Sequence, residues 1–163
     1  MGGSAGQLNR RQLLTAGRPE QERPRPPGVT SATLDACTGC EACMAACPEC
    51  ILTLANGKVA VDFSGGECTF CSSCEDACPE PVFTGSRVMA HVAAISDSCF
   101  VHAGIACMTC RDACPQEAIR FLPRLGRPFQ PLLDAQACTG CGACIAPCPA
   151  GAITTRKREA AHA

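Results

Sequence analysis

The chain has 163 residues, a formal net charge of −1 and seventeen cysteines, with no tryptophan, no tyrosine and six phenylalanines. A near-neutral balance without basic or acidic blocks argues against nucleic acid or anionic membrane as a partner. No stretch approaches the roughly 18 apolar residues of a membrane helix, so no membrane span is expected.

Residues 1–33 are rich in Arg, Pro, Gly and polar residues and read as a disordered leader, apart from a helical turn at "LNRRQLL". They contain no apolar region of the length a secretory signal needs. Arg10-Arg11 before "QLL" mimics a twin-arginine export signal, but the following "TAGRPEQERPRPPG" is charged and broken by prolines. A cytoplasmic location is therefore expected, where thiols stay reduced and free to bind metal.

A repeat follows. Run one is Cys37, Cys40, Cys43 and Cys47-Pro48; run two is Cys68, Cys71, Cys74 and Cys78-Pro79. Run three is Cys99, Cys107, Cys110 and Cys114-Pro115; run four is Cys138, Cys141, Cys144 and Cys148-Pro149. Between runs one and two, "ILTL" (51–54) and "KVAVDF" (58–63) flank Ala55-Asn56-Gly57, a hairpin signal. In the link between the halves, "VMAHVAAI" (88–95) predicts a strand or short helix. Between runs three and four, "AIRFL" (118–122) and "PFQPLLD" (128–134) flank "PRLGR", with Pro128 and Pro131 confining the second strand to a sheet edge. The tail "TTRKREAAHA" has no apolar period and is expected to fray, with Arg156, Lys157 and Arg158 solvated.

Runs one, two and four have the spacing C-x2-C-x2-C-x3-C-P of bacterial iron–sulfur proteins. Three cysteines two residues apart wrap one face of a cubane; the fourth, across a short helical turn, points away and ligates the neighbouring cluster. Proline after it fixes the chain's exit. Zinc is the competing reading, but zinc sites use two C-x2-C pairs around one ion, whereas each run here already carries four cysteines. A disulfide scaffold conflicts with the expected compartment.

Cross-ligation then places Cys37, Cys40 and Cys43 with Cys78; Cys68, Cys71 and Cys74 with Cys47; Cys99, Cys107 and Cys110 with Cys148; and Cys138, Cys141 and Cys144 with Cys114. Sixteen cysteines make four [4Fe–4S] clusters. In run three the first gap holds seven residues instead of two. Cys99 is the candidate for its first ligand; the alternatives are His102 or water as the fourth ligand. Cys50, outside every run, reads as a small buried thiol, with a substitute ligand or redox-active thiol as the alternatives. His91 and His162 carry no constellation and read as structural or solvated.

The predicted fold class is α+β: two tandem bacterial-type 2[4Fe–4S] ferredoxin modules, loop-rich, with short antiparallel hairpins and short helices. The expected boundaries are a leader at 1–33, module one at 34–85, module two at 86–155 and a frayed tail at 156–163. No nucleophile–base pair or nucleotide-binding glycine pattern appears, so an enzyme is not expected.

The opening "NRRQLLTAGR" (9–18), the Pro-rich spacer and the widened third run carry a resemblance, as do "ECTFCSSCEDACPEPVF" (67–83), "CRDACPQEAI" (110–119) and "QPLLDAQACTGCGACIAPCPAGAIT" (130–154). Together they resemble the NapF family, the ferredoxin-type proteins of periplasmic nitrate reductase systems, over nearly the whole chain. The resemblance implies a cytoplasmic accessory protein that binds the precursor of the molybdenum-containing catalytic subunit before export. It would assist that subunit's maturation by iron–sulfur electron transfer, with the sixteen cysteines as ligands and the widened loop (100–106) as a docking or tuning element. The alternative is an electron-wire subunit, a polyferredoxin, of a larger oxidoreductase complex.

Overall fold

A computed structural model describes residues 23–159. The expected turn at "LNRRQLL" and the Arg10-Arg11 pair lie outside the described residues. The α+β, loop-rich reading holds: the helices span one turn each and the strands pair as three two-stranded antiparallel sheets among the described residues.

In the first half, helix α1 (Ser31–Leu34) precedes run one, and α2 (Ala42–Ala46) carries Cys43. Strands β1 (Leu52–Ala55) and β2 (Lys58–Val61) form the expected hairpin, paired Leu52↔Val61 and Leu54↔Val59. Its turn residues Asn56 and Gly57 both have positive φ, 52° and 74°, as the right-handed twist of a tight hairpin demands. Helix α3 (Ser73–Asp76) carries Cys74.

In the second half, β3 (His91–Ile95) resolves the ambiguity at 88–95 in favour of a strand. Helix α4 (Thr109–Asp112) carries Cys110. Strands β4 (Ile119–Arg124) and β5 (Arg127–Leu133) form the second hairpin. It extends past the predicted loop: Pro123 sits in an irregularity between Leu122 and Arg124, and the turn shrinks to Leu125-Gly126. A proline inside β4 is tolerated because the bulge needs no donor from it.

Three expectations require correction. The tail does not fray from residue 154: β6 (Ile153–Lys157) pairs antiparallel with all of β3, His91↔Lys157 through Ile95↔Ile153. The β-branched run Ile-Thr-Thr suits a pleated strand. Arg158, read as solvated, is half-buried and donates to three backbone carbonyls: Met89 at 3.3 Å, Ala135 at 3.1 Å and Cys138 at 2.7 Å.

The end of the leader is also ordered. The Pro24 carbonyl accepts from Val61 N–H at 2.7 Å, and Gly28 exchanges backbone bonds with Gly85 and Ser86. Val29 is buried. Thr30 and Thr33 close a capping box on α1 (3.2 and 3.0 Å). Proline gives up its donor but keeps its carbonyl, so a proline-rich segment can still lie along a strand as an acceptor.

The core consists of two clusters. One joins Val29, Ile51, Val59, Val61, Phe63, Val82 and Met89; the other joins Val92, Ala118, Ile119 and Ile153; Ile145 packs against both.

Candidate metal centres

Each short run of cysteines is bent by residues in left-handed backbone. In runs one, two and four the residue before the second cysteine has positive φ: Gly39 at 71°, Phe70 at 56° and Gly140 at 81°. So does the residue after it: Glu41 at 65°, Ser72 at 69° and Gly142 at 84°. A two-residue gap closes on one centre only through this reversal, which non-glycine residues enter at a cost. In run three Met108 has φ −128° and Ala106 is not left-handed. The seven-residue gap reaches the same closure by a longer route, with Cys99, Val101 and Phe100 carbonyls accepting from His102, Gly104 and Ile105 N–H groups.

The cysteines gather in four tetrads, each lining one cavity. Cys37, Cys40, Cys43 and Cys78 surround the first, walled by Leu54 and Val59, with an empty volume of about 310 Å³ including its mouth. Cys47, Cys68, Cys71 and Cys74 surround the second, walled by Leu52 and Val61, about 400 Å³. Cys99, Cys107, Cys110 and Cys148 surround the third, walled by Ile95, Ile153 and Phe100, about 340 Å³. Cys114, Cys138, Cys141 and Cys144 surround the fourth, walled by Ala93, Ile119 and Leu133, about 290 Å³. These groupings pair three cysteines of one run with the fourth of its companion.

The hairpin explains why the cavities come in pairs. Strand side chains on one face recur every second residue. Leu52 and Leu54, with partners Val61 and Val59, therefore present one apolar face that covers the second cavity at one end and the first at the other. Ala93 and Ile95 of β3 do the same for the fourth and third cavities.

Electrostatics inside the tetrads favours a cationic occupant. Burial, then the neighbouring Cys138, Cys141 and Cys114 thiols, pushes Cys144 up to about 12. Burial and Cys68 push Cys74 up to about 11, and burial and Cys99 push Cys110 up to about 11. Cys43 is raised by burial and by Cys78. Thiols so placed ionise only with positive charge among them. Cys71 runs the other way: exposed, it is lowered chiefly by the Ser73 hydroxyl, 3.4 Å from its sulfur. Thr109 stands likewise 3.6 Å from Cys107 Sγ, and Ala152 N–H donates to Cys148 Sγ at 3.3 Å.

The donor set fits [4Fe–4S] clusters. All seventeen cysteines are unpaired. Four soft sulfurs surround a void of one size class at each centre, under apolar walls. Thr139 Oγ1, buried without a hydrogen-bond partner, lines the fourth cavity, where a cluster sulfide would accept its proton. Among the described residues, no group of three or more Cys, His, Asp or Glu closes on a single metal ion.

Three residues fall outside the tetrads. His102 lines no tetrad cavity; its Nδ1 lies 3.5 Å from Asp97. His91 is buried and structural, its Nε2 bonded to Gly140 O at 2.9 Å. Cys50, expected to be buried, is exposed. Its φ of 51° and its N–H bond to Cys47 O place it in the turn that Glu117 and Gly151 make after Cys114 and Cys148. It is a turn residue in the position three after a run's last cysteine, a correspondence visible once the runs are aligned.

Tetrads under paired apolar strands define a ferredoxin-type iron–sulfur protein, and the comparisons agree. Residues 36–83 and 105–159 each match a 4Fe–4S dicluster domain family. The second match starts at residue 105, leaving Cys99 and most of the widened gap outside the general pattern. The chain is 41% identical to the ferredoxin-type protein NapF of Escherichia coli K12 over 152 residues, covering 90% of this chain and 93% of that protein. It is 43% identical to the ferredoxin-type protein NapF of Haemophilus influenzae over 121 residues, covering 72% and 69%. The chain belongs to the NapF family of ferredoxin-type proteins. Iron–sulfur electron transfer by [4Fe–4S] clusters follows from that membership.

Proposed function

We propose that the sixteen cysteines of the tetrads hold four [4Fe–4S] clusters, and that the loaded protein assists maturation of the catalytic subunit of periplasmic nitrate reductase in the cytoplasm, before export. When bound, each cluster supplies reversible one-electron chemistry. The protein's own residues then do three things. The cysteine thiolates hold the irons. Leu52, Leu54, Val59, Val61 and Ile153 keep water from the centres. The Ser73 and Thr109 hydroxyls and the Ala152 N–H donate to ligand sulfurs, stabilising the electron-rich state.

The observation that carries the cluster count is the sorting of sixteen cysteines into four equal tetrads. The partner reading rests on the family and on one exposed hairpin. The β4–β5 arm exposes Leu122 and Leu132 on one face, Phe129 on the other and Leu125 at its turn, large apolar side chains left for a partner to cover. Ile105, on the widened loop, is 53% exposed while Phe100 and Val101 face inward. A cytoplasmic site is in keeping with seventeen free thiols.

Pull-down with the nitrate reductase catalytic subunit tests the assignment. Transient binding of the precursor alone is the expected result. Co-purification with the mature enzyme would instead identify a permanent wire subunit. Cell fractionation tests the location, and recovery from the periplasm would overturn it.

A further inference from the structure

The two modules meet at one pair of tetrads. The N–H of Cys68, in the second tetrad, donates to the carbonyl of Cys141, in the fourth, at 2.8 Å. Phe63, at the end of the first hairpin, lies against Gly142, and a side chain there would run into its ring. The same ring packs against His91 at 5.6 Å between centroids, and His91 holds Gly140, so the turn around Cys141 is gripped from both sides. Each of the four cavities is lined by residues of its own half of the chain, so the Cys68–Cys141 hydrogen bond and the Phe63–Gly142 contact are what join the tetrads.

Within a module, adjacency is set by the shared strand face: first beside second, fourth beside third. Across modules, among the described residues, the cysteine backbones that share a hydrogen bond belong to the second and fourth. We infer that the four sites form one linear series in the order first, second, fourth, third, with the Cys68–Cys141 hydrogen bond as the passage between modules. The series therefore departs from sequence order. This rests on the proposal that the tetrads hold clusters. Each transfer across the passage takes one electron from one site and gives one to the other, with no proton moved and no covalent bond changed. Tunnelling falls off exponentially with distance, so one peptide hydrogen bond between ligand-bearing backbones couples these two sites better than a wider gap couples any other cross-module pair. The ends of the series are the first site and the third. The third carries the widened loop.

The test is pulsed EPR on the full-length protein, purified anaerobically and fully reduced with dithionite, with iron counted in each sample. A variant lacking the end sites (Cys40→Ala with Cys107→Ala) is expected to keep spin–spin coupling between the two remaining centres. A variant lacking the inner sites (Cys71→Ala with Cys144→Ala) is expected to give two uncoupled signals. Uncoupled centres in the first variant, or coupled ones in the second, overturn the order. Absence of iron from the wild type would instead overturn the cluster assignment, so the two failures are distinct. Should a cysteine variant not fold, Phe63→Glu retains every ligand and buries a charge at the contact. It is expected to keep the wild-type iron content and lose the coupling between modules; unchanged coupling there overturns the passage.

Discussion

Arg158 shows how much one side chain does at the end of the described chain. Its guanidinium satisfies the carbonyls of Met89, Ala135 and Cys138, tying β3 to the start of run four. Hydrogen bonds from a charged donor are worth about 1.5–3 kcal/mol each when broken to leave a buried partner. Arg158→Ala should lower stability by about 3 kcal/mol, while Arg158→Lys, with a single-point donor, should recover part of that; chemical denaturation of the holoprotein measures both. Ser73 and Thr109 belong to the same scale. Each hydroxyl stands beside the second cysteine of its run, where runs one and four carry Ala42 and Ala143. A donor to a ligand sulfur favours the reduced state, so Ser73→Ala should lower the potential of the second site by up to about 40 mV, the one-electron equivalent of about 1 kcal/mol. An EPR-monitored redox titration reads the shift, and an unchanged potential would mean that the hydroxyl donates elsewhere. Cys50→Gly should leave iron content unchanged and not lower stability, since glycine enters a φ of 51° without strain.

The strands all wall the centres, but the β4–β5 hairpin does so only at its base, through Ile119 and Leu133. The inner face of β1 and β2 was legible in the sequence because Asn-Gly fixes the turn and strict alternation fixes the face. The β4–β5 hairpin was legible in outline, but Pro123 obscured how far β4 runs: a bulge absorbed it, and no local signal announces a bulge. β6 was missed because charged Arg156 and Lys157 mask a strand whose evidence is its partner, β3, some sixty residues away. The third tetrad's closure through Cys99 was legible only as a spacing argument; its path through residues 100–107, with a single left-handed residue at Gly104 well before Cys107, was not. The exposed arm makes its own prediction. Leu125→Glu with Phe129→Glu changes residues that line no tetrad cavity, so iron content should stay at the wild-type level while precursor binding falls at least tenfold. Full binding by the charged arm would remove it from the interface.

At the scale of the whole molecule, the contact between modules depends on a neutral histidine. Burial, reinforced by the nearby Arg158 charge and only partly offset by the bond to Gly140 O, holds the His91 pKa below its ordinary 6.5. The unfolded chain therefore binds this proton more readily than the folded one. Stability conferred by neutral His91 is present above about pH 6.5 and is lost as pH falls from there toward the folded pKa. His91→Gln should flatten that part of the pH–stability curve; the same slope in the variant would assign it to another group. The sixteen-cysteine pattern made the tetrads readable in advance, since spacing dictates which sulfurs converge. The junction was not readable, because nothing in the runs says which turn of one module meets which turn of the other.

Anaerobic quantitation of iron and acid-labile sulfide on the purified protein, with EPR of the reduced sample, bears on all of this most directly. Four cubane sites predict about 16 iron and about 16 sulfide per chain, a brown protein and reduced-state signals from interacting centres. A folded, colourless protein carrying zinc, or no metal at all, would contradict it.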